Sequence, residues 1–172
     1  VAAVDLVNYR NYGLLTLKLS PDINIFLGRN AQGKTNILEA VYYAALGRSH
    51  RTTVDAELIR WNTENGRLRL DFSRLDVENK LEFHFSRAKR RQILYKGKSI
   101  RTKDLVGAIN VVLFSPEDLF LIKGSPAGRR RFLDVEISQA SPAYYHDLSI
   151  YTRLITQRNT LLKRIREHRA QP

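Results

Sequence analysis

Apolar and polar residues alternate with a period of two along most of the first hundred positions. AVDLVNYR (3–10), LLTLKL (14–19) and DINIFLG (22–28) read as strands, with Asn-Tyr-Gly at 11–13 as a turn between the first two. Further on, GRLRLDFSRLD (66–76), KLEFHFS (80–86) and RQILYKG (91–97) read the same way. In the first two of these, Leu68, Leu70 and Phe72 share one face and Leu81, Phe83 and Phe85 share another. That spacing predicts an antiparallel meander with one side in the core and one in water. AELIRW (56–61) is a short amphipathic piece, and INVVLF (109–114) is apolar throughout, which predicts a buried strand.

The period changes in the last third. Ser115-Pro116, Ser125-Pro126 and Ser141-Pro142 each place an N-capping hydroxyl before a proline that fits the first helical position. The segment from Tyr144 to about His168 carries Leu148, Tyr151, Ile155, Arg158, Leu162 and Ile165 at spacings of three and four, a seam suited to a partner helix. It ends in polar residues without a Gly cap, so the helix is expected to continue. The chain also opens on Val rather than Met, consistent with a trimmed start.

The 172 residues suit one domain of ordinary size, and 43% hydrophobic with 27% charged residues allows a packed core. A formal charge of +12 points to a polyanionic partner, nucleic acid before an anionic membrane. No apolar run reaches the ~18 residues of a spanning helix, and no secretory leader is visible. Without Cys, disulfides and thiolate metal sites are excluded, and the four His residues have no ligand spacing. The expected location is cytoplasmic.

Chemistry enters with GRNAQGKT (28–35), which fits the phosphate-binding pattern G-x-x-x-x-G-K-[ST] between a strand and a helix, TNILEAVYYAAL (35–46). Gly28 and Gly33 let the backbone wrap phosphates, Lys34 reaches β- and γ-phosphate oxygens, and Thr35 offers its hydroxyl to Mg²⁺. Hydrolysis needs further groups, and no apolar run ends directly in acids. Glu117 and Asp118 start a helix after Ser115-Pro116; Asp118 is a candidate Mg²⁺ or γ-phosphate sensor, with dipole balance as the alternative. Asp134 follows only two apolar residues. The expectation is therefore a nucleotide cradle without a complete hydrolytic site: binding of ATP or ADP, and poor turnover.

Residues 83–103 contain no acid but eight cations: Arg87, Lys89, Arg90, Arg91, Lys96, Lys98, Arg101 and Lys103. Uniform sign on a hairpin suits a phosphate backbone better than solvent alone. Arg129, Arg130 and Arg131 sit just inside a helix start, where cations oppose the dipole, so acids of a second subunit or phosphate would suit them.

Together NYRNY (8–12), GRNAQGKTNILEA (28–40), LGRSHRT (46–52), VLFSPEDL (112–119) and GSPAGRRRFLD (124–134) resemble the bacterial RecF family, of the ABC-type ATPase heads of the SMC class. The resemblance implies an α/β fold: the first lobe of such a head, a mixed sheet with an antiparallel meander and a phosphate-loop helix, over 1–140. Residues 141–172 would begin a helical arm. It implies ATP with Mg²⁺ as cofactors, nucleotide contacts from Arg10, Asn11 and Arg51 beside Gly28, Arg29, Asn30, Ala31, Gln32, Gly33, Lys34, Thr35 and Asn36, and DNA, double-stranded or gapped, as a partner. Family members dimerise on ATP, act as weak DNA-stimulated ATPases, and work with RecO and RecR in recombinational repair, helping RecA load. The second lobe, with its signature motif and catalytic acids, has no match here, and Pro116, Glu117 and Asp118 stand where relatives carry a Gln. The alternative is a small P-loop kinase.

Overall fold

A computed structural model describes residues 1–115 and 124–169. They fall in two compact units, Val1–Leu113 and Phe114–Pro172. The first is a six-stranded antiparallel sheet in the order β2-β1-β3-β4-β5-β6. Its strands are β1 (Ala3–Tyr9), β2 (Tyr12–Lys18), β3 (Asn65–Arg74), β4 (Val77–Ser86), β5 (Gln92–Tyr95) and β6 (Lys98–Ile100). One helix, α1 (Lys34–Leu46), and short 3₁₀ turns at Asp55–Leu58 and Thr102–Asp104 complete it.

The period-two pattern decides which face is dry. Val4, Leu6, Leu68, Leu70, Phe72, Leu81, Phe83 and Phe85 all turn inward and are buried. The opposite face of the same strands carries a charge ladder, with Arg69 on Asp71 at 2.7 Å and on Asp5 at 3.7 Å, and Lys80 on Glu82 at 3.9 Å. Helix α1 covers the dry face through Ala40, Tyr43 and Ala44, and the Tyr43 ring meets Phe83 and Phe85 edge-on at 5.1 and 5.3 Å. A solvated face opposite an apolar one is what an antiparallel sheet with a single covering helix permits.

Two apolar segments expected as strands are not strands. Residues 22–28 and 109–114 pair with no strand among the described residues. Ile23, Ile25, Leu27, Val112 and Phe114 are largely exposed, Leu27 by 88% and Phe114 by 85%. A strand needs a neighbouring edge for its N–H and C=O groups, and apolar composition supplies none. Hairpin chemistry also departs from expectation at β3–β4, where Leu75 and Asp76 both take left-handed φ, 50° and 60°, without a glycine. The β5–β6 turn, Lys96-Gly97, is more ordinary, with φ of 50° and 78°.

In the second unit α2 (Pro126–Ala140) and α3 (Pro142–Arg169) start where the Ser-Pro pairs place them. Ser125 Oγ accepts from Gly128 N at 3.4 Å and Ser141 Oγ from Tyr144 N at 3.3 Å, both capping bonds. The expected division at 140/141 runs between α2 and α3, which pack on each other. Tyr151, Leu162 and Ile165 of the expected seam are exposed. No helix of the described residues is long and apolar enough to cross a membrane.

Candidate functional site

The loop 28–33 enters α1 through Gly33, whose φ of 99° is costly for any residue with a Cβ. The space is closed to one as well, since a Cβ there would lie 2.7 Å from the Asn11 amide and from the Tyr12 hydroxyl. Those two side chains support the loop from the β1–β2 turn: Asn11 Nδ2 donates to Gln32 O at 3.2 Å and Tyr12 Oη at 3.4 Å. Lys34 folds back over the loop, its Nζ donating to Gly28 O at 2.6 Å and Arg29 O at 2.7 Å. Helix α1 has no side-chain cap and no acid in its first turn. Its leading N–H groups and positive dipole end are therefore left for an anion. Thr35 is exposed in that turn.

One turn further along α1 lies a residue that pattern reading passed over. Glu39 is fully buried. Its Oε1 accepts from Arg10 Nη2 at 2.6 Å and from Ser49 Oγ at 2.5 Å, and its Oε2 accepts from Arg10 Nε at 3.0 Å and from Arg51 Nη1 at 3.4 Å. Arg51 Nη1 also donates to Asn36 Oδ1 at 2.9 Å, and Asn36 Nδ2 to Asn11 Oδ1 at 2.8 Å. Arg10, Asn11, Asn36 and Arg51, expected separately at the nucleotide, are thus one hydrogen-bonded group. With Glu57, Ile59, Arg60 and Trp61 they line a cleft of about 490 Å³ beside the loop. Arg10 reaches Glu39 from a left-handed backbone, φ 50°. The signal for Glu39 was available: it shares a helical face with Asn36 and the buried Tyr43, and an acid on such a face calls for a cation.

Burial alone would raise the Glu39 carboxyl, but hydrogen bonds from Arg10 and Ser49, with the charges of Arg10 and Arg51, outweigh it and hold it below the usual carboxylate range. A carboxyl depressed on folding adds stability above its unfolded pKa, about 4.3, and loses it as pH falls through the folded value. Glu39→Gln is therefore expected to lower the urea midpoint at pH 7 and to approach the wild type below about pH 4. A constant difference across that range would show that the charge of Glu39 contributes nothing.

The basic stretch divides by what its side chains touch. Arg91 Nη1 is held by Asp55 at 2.9 Å and by the Tyr43 hydroxyl, and its Nη2 by Thr102 Oγ1 at 3.0 Å. Arg87 Nε donates to Thr63 O at 2.9 Å. These two guanidiniums brace the β4–β5 connection against the segment before β3, the two 3₁₀ turns and α1. Lys89 and Arg90 on that connection, and Lys96 and Lys98 at the β5–β6 turn, are exposed. Arg129 and Arg130 are exposed near the start of α2, in the second unit, with Arg129 Nη1 on Gly124 O at 3.1 Å. Asp118 lies outside the described residues.

A family model described as an AAA domain matches residues 3–167. The DNA replication and repair protein RecF of Clostridium botulinum (strain Loch Maree / Type A3) is 46% identical over 164 residues, 95% of this chain and 45% of that protein. The chain belongs to the RecF family of AAA-domain proteins. RecF of Clostridium novyi (strain NT) is 42% identical over 94% of the chain. The chain spans about half the length of the curated RecF relatives it matches, 45% of each of these two. A solved structure of the recombination mediator protein RecF-ATP in the RecFOR pathway superposes with a TM-score of 0.89 at 35% identity, over 96% of this chain and 45% of that one. The Smc head domain from Pyrococcus yayanosii shares the fold at TM-score 0.63 and 18% identity, over 97% of this chain and 38% of that one. The α/β head fold expected from the RecF motifs is therefore the one observed, although its strands among the described residues pair antiparallel throughout where a mixed sheet was expected.

Proposed function

We propose that this chain is the ATP-binding part of a RecF-type recombination mediator, and that it also contributes DNA contacts. The observation that carries the reading is the uncapped start of α1 beneath a glycine-bent loop, with Lys34 folded over it and Arg51 and Asn36 beside it. Backbone N–H groups bind the phosphates, Lys34 neutralises them at the β/γ end, and Arg51 adds a second cation from the flank. The residues fit Mg²⁺ in one respect: Thr35 places a hydroxyl, a hard oxygen donor, in the exposed first turn. Bound there, Mg²⁺ would neutralise and orient phosphate oxygens. The RecF-ATP relative supports this reading over a small P-loop kinase. Dimerisation on ATP, clamping of double-stranded or gapped DNA, work with RecO and RecR in loading RecA, and a cytoplasmic location belong to the same proposal, as properties of a RecF-length chain.

For DNA the proposal selects Lys89, Arg90, Lys96 and Lys98, four exposed cations of the hairpin region, with Arg129 and Arg130 as a second cluster. Arg87 and Arg91 hold the scaffold. Each phosphate neutralised adds about −0.9 to the slope of log K against log salt. The Lys89→Ala, Arg90→Ala double variant is expected to bind duplex DNA more weakly and to reduce that slope by about 2. Titrations at several salt concentrations measure it. An unchanged slope would move the DNA surface elsewhere. ATP binding by the same double variant should equal that of the wild type.

A further inference from the structure

We infer that Glu39 is a positioning residue of the nucleotide site, whose buried carboxylate sets Arg51 in place for the phosphates. The inference rests on the reading of loop 28–36 as the ATP site.

A carboxylate removed from water must be neutralised and hydrogen-bonded. Arg10 alone does this in bidentate form, and its third nitrogen, Nη1, is occupied by Glu57 O at 2.9 Å. Charge balance would be complete with that pair. Yet Glu39 accepts two more bonds, and both lead to the same loop. One comes directly from Arg51 Nη1. The other comes from Ser49 Oγ, which itself accepts from the backbone N–H of Arg51 at 2.9 Å and of Thr52 at 3.3 Å. Glu39 therefore holds Arg51 twice, by its side chain and by its backbone.

The outcome of that hold is directional. Arg51 Nη1 is shared with Asn36 Oδ1, two residues beyond Lys34. The Arg51 side chain stays 45% exposed, whereas that of Arg10 is 18% exposed and spent on protein acceptors. A guanidinium anchored at one nitrogen keeps donors on its remaining edge, in the fork geometry that suits phosphate oxygens. Arg10 neutralises the anchor, and Arg51 presents the charge.

The test is a double-mutant cycle on ATP affinity, using wild type, Glu39→Gln, Arg51→Ala and the double variant, each at a temperature where it is folded. Loss of one charged hydrogen bond predicts roughly tenfold weaker binding for each single variant. The double variant should be no weaker than Arg51→Ala alone, within about twofold, because Glu39 acts through Arg51. A merely structural Glu39 leaves ATP affinity unchanged, or gives losses that multiply to roughly 100-fold; either result overturns the inference. Should Glu39→Gln fail to fold, Ser49→Ala replaces it, with an expected loss of about threefold that vanishes in the Arg51→Ala background. No loss, or one that persists, again overturns it. A wild-type chain that binds no ATP would overturn the nucleotide reading itself, so the two failures are separable.

Discussion

Lys34→Ala is expected to lower ATP affinity roughly 100- to 1,000-fold, about 3 to 4 kcal/mol, while leaving the fold intact. Each hydrogen bond from an ammonium to a phosphate oxygen is worth about 1.5 to 3 kcal/mol, and Lys34, with three donors, can make two once it releases one of its loop carbonyls. Its Nζ already lies across the mouth of the loop on two carbonyls, so little is spent on ordering it when phosphate arrives. Removing it should cost the fold little, because the residue opens α1 and is partly exposed, and Ala is the best helix former. Equilibrium dialysis with labelled ATP gives the affinity, and circular dichroism with a urea titration confirms the fold. A loss below about fivefold, well short of one charged hydrogen bond, would mean that the phosphates lie elsewhere.

The second large effect is on stability. Phe83→Ala is expected to destabilise the first unit by about 3 to 5 kcal/mol. Phe83 is fully buried at the centre of β4, opposite Leu68 of β3 and Ile93 of β5. Its ring lies against Tyr43 of α1 at 5.1 Å and parallel to Phe85 at 6.2 Å. Truncation opens a cavity where helix and sheet meet, and neither can collapse into it without breaking the strand register. Against a domain stability of about 5 to 15 kcal/mol this is a large share. Lys80→Ala, on the solvated face of the same strand, should change stability by less than about 0.5 kcal/mol. Urea midpoints of the two variants compare the faces directly. Equal effects would contradict the assignment of a dry and a wet face.

That assignment shows what a linear pattern can carry. Alternation at 68, 70, 72 and at 81, 83, 85 reports burial because each strand has a partner on both sides and a helix over one face. The same reasoning misjudged 22–28 and 109–114. Those runs are apolar too, but whether they pair depends on an available edge, which no local pattern encodes. The turn at Leu75-Asp76 escaped notice for a related reason, since both residues adopt a left-handed backbone that their chemistry does not favour.

The site divides in the same way. Gly28, Gly33, Lys34 and Thr35 were legible because their spacing is local and their chemistry is shared by phosphate loops. Arg10 and Asn11 were reached only through the RecF resemblance, and the structure adds the reason they belong together with Arg51. Glu39, which joins two of them, was hidden inside an apolar helix stretch. Arg91 read as one cation among eight, but its contacts with Asp55, Tyr43 and Thr102 set it apart from exposed Lys89 and Arg90. Pairings of 36 and 48 positions along the chain leave no mark on local composition.

The most direct test of the proposed nucleotide site is amide hydrogen exchange on the wild-type chain with and without Mg²⁺-ATP, resolved to short peptides. The prediction is slowed exchange over residues 28–36, where the phosphates meet the backbone, and over 48–52, where Arg51 is drawn in, with neither change in Lys34→Ala. Protection confined to other segments, or identical protection in Lys34→Ala, would contradict the assignment of this loop as the site.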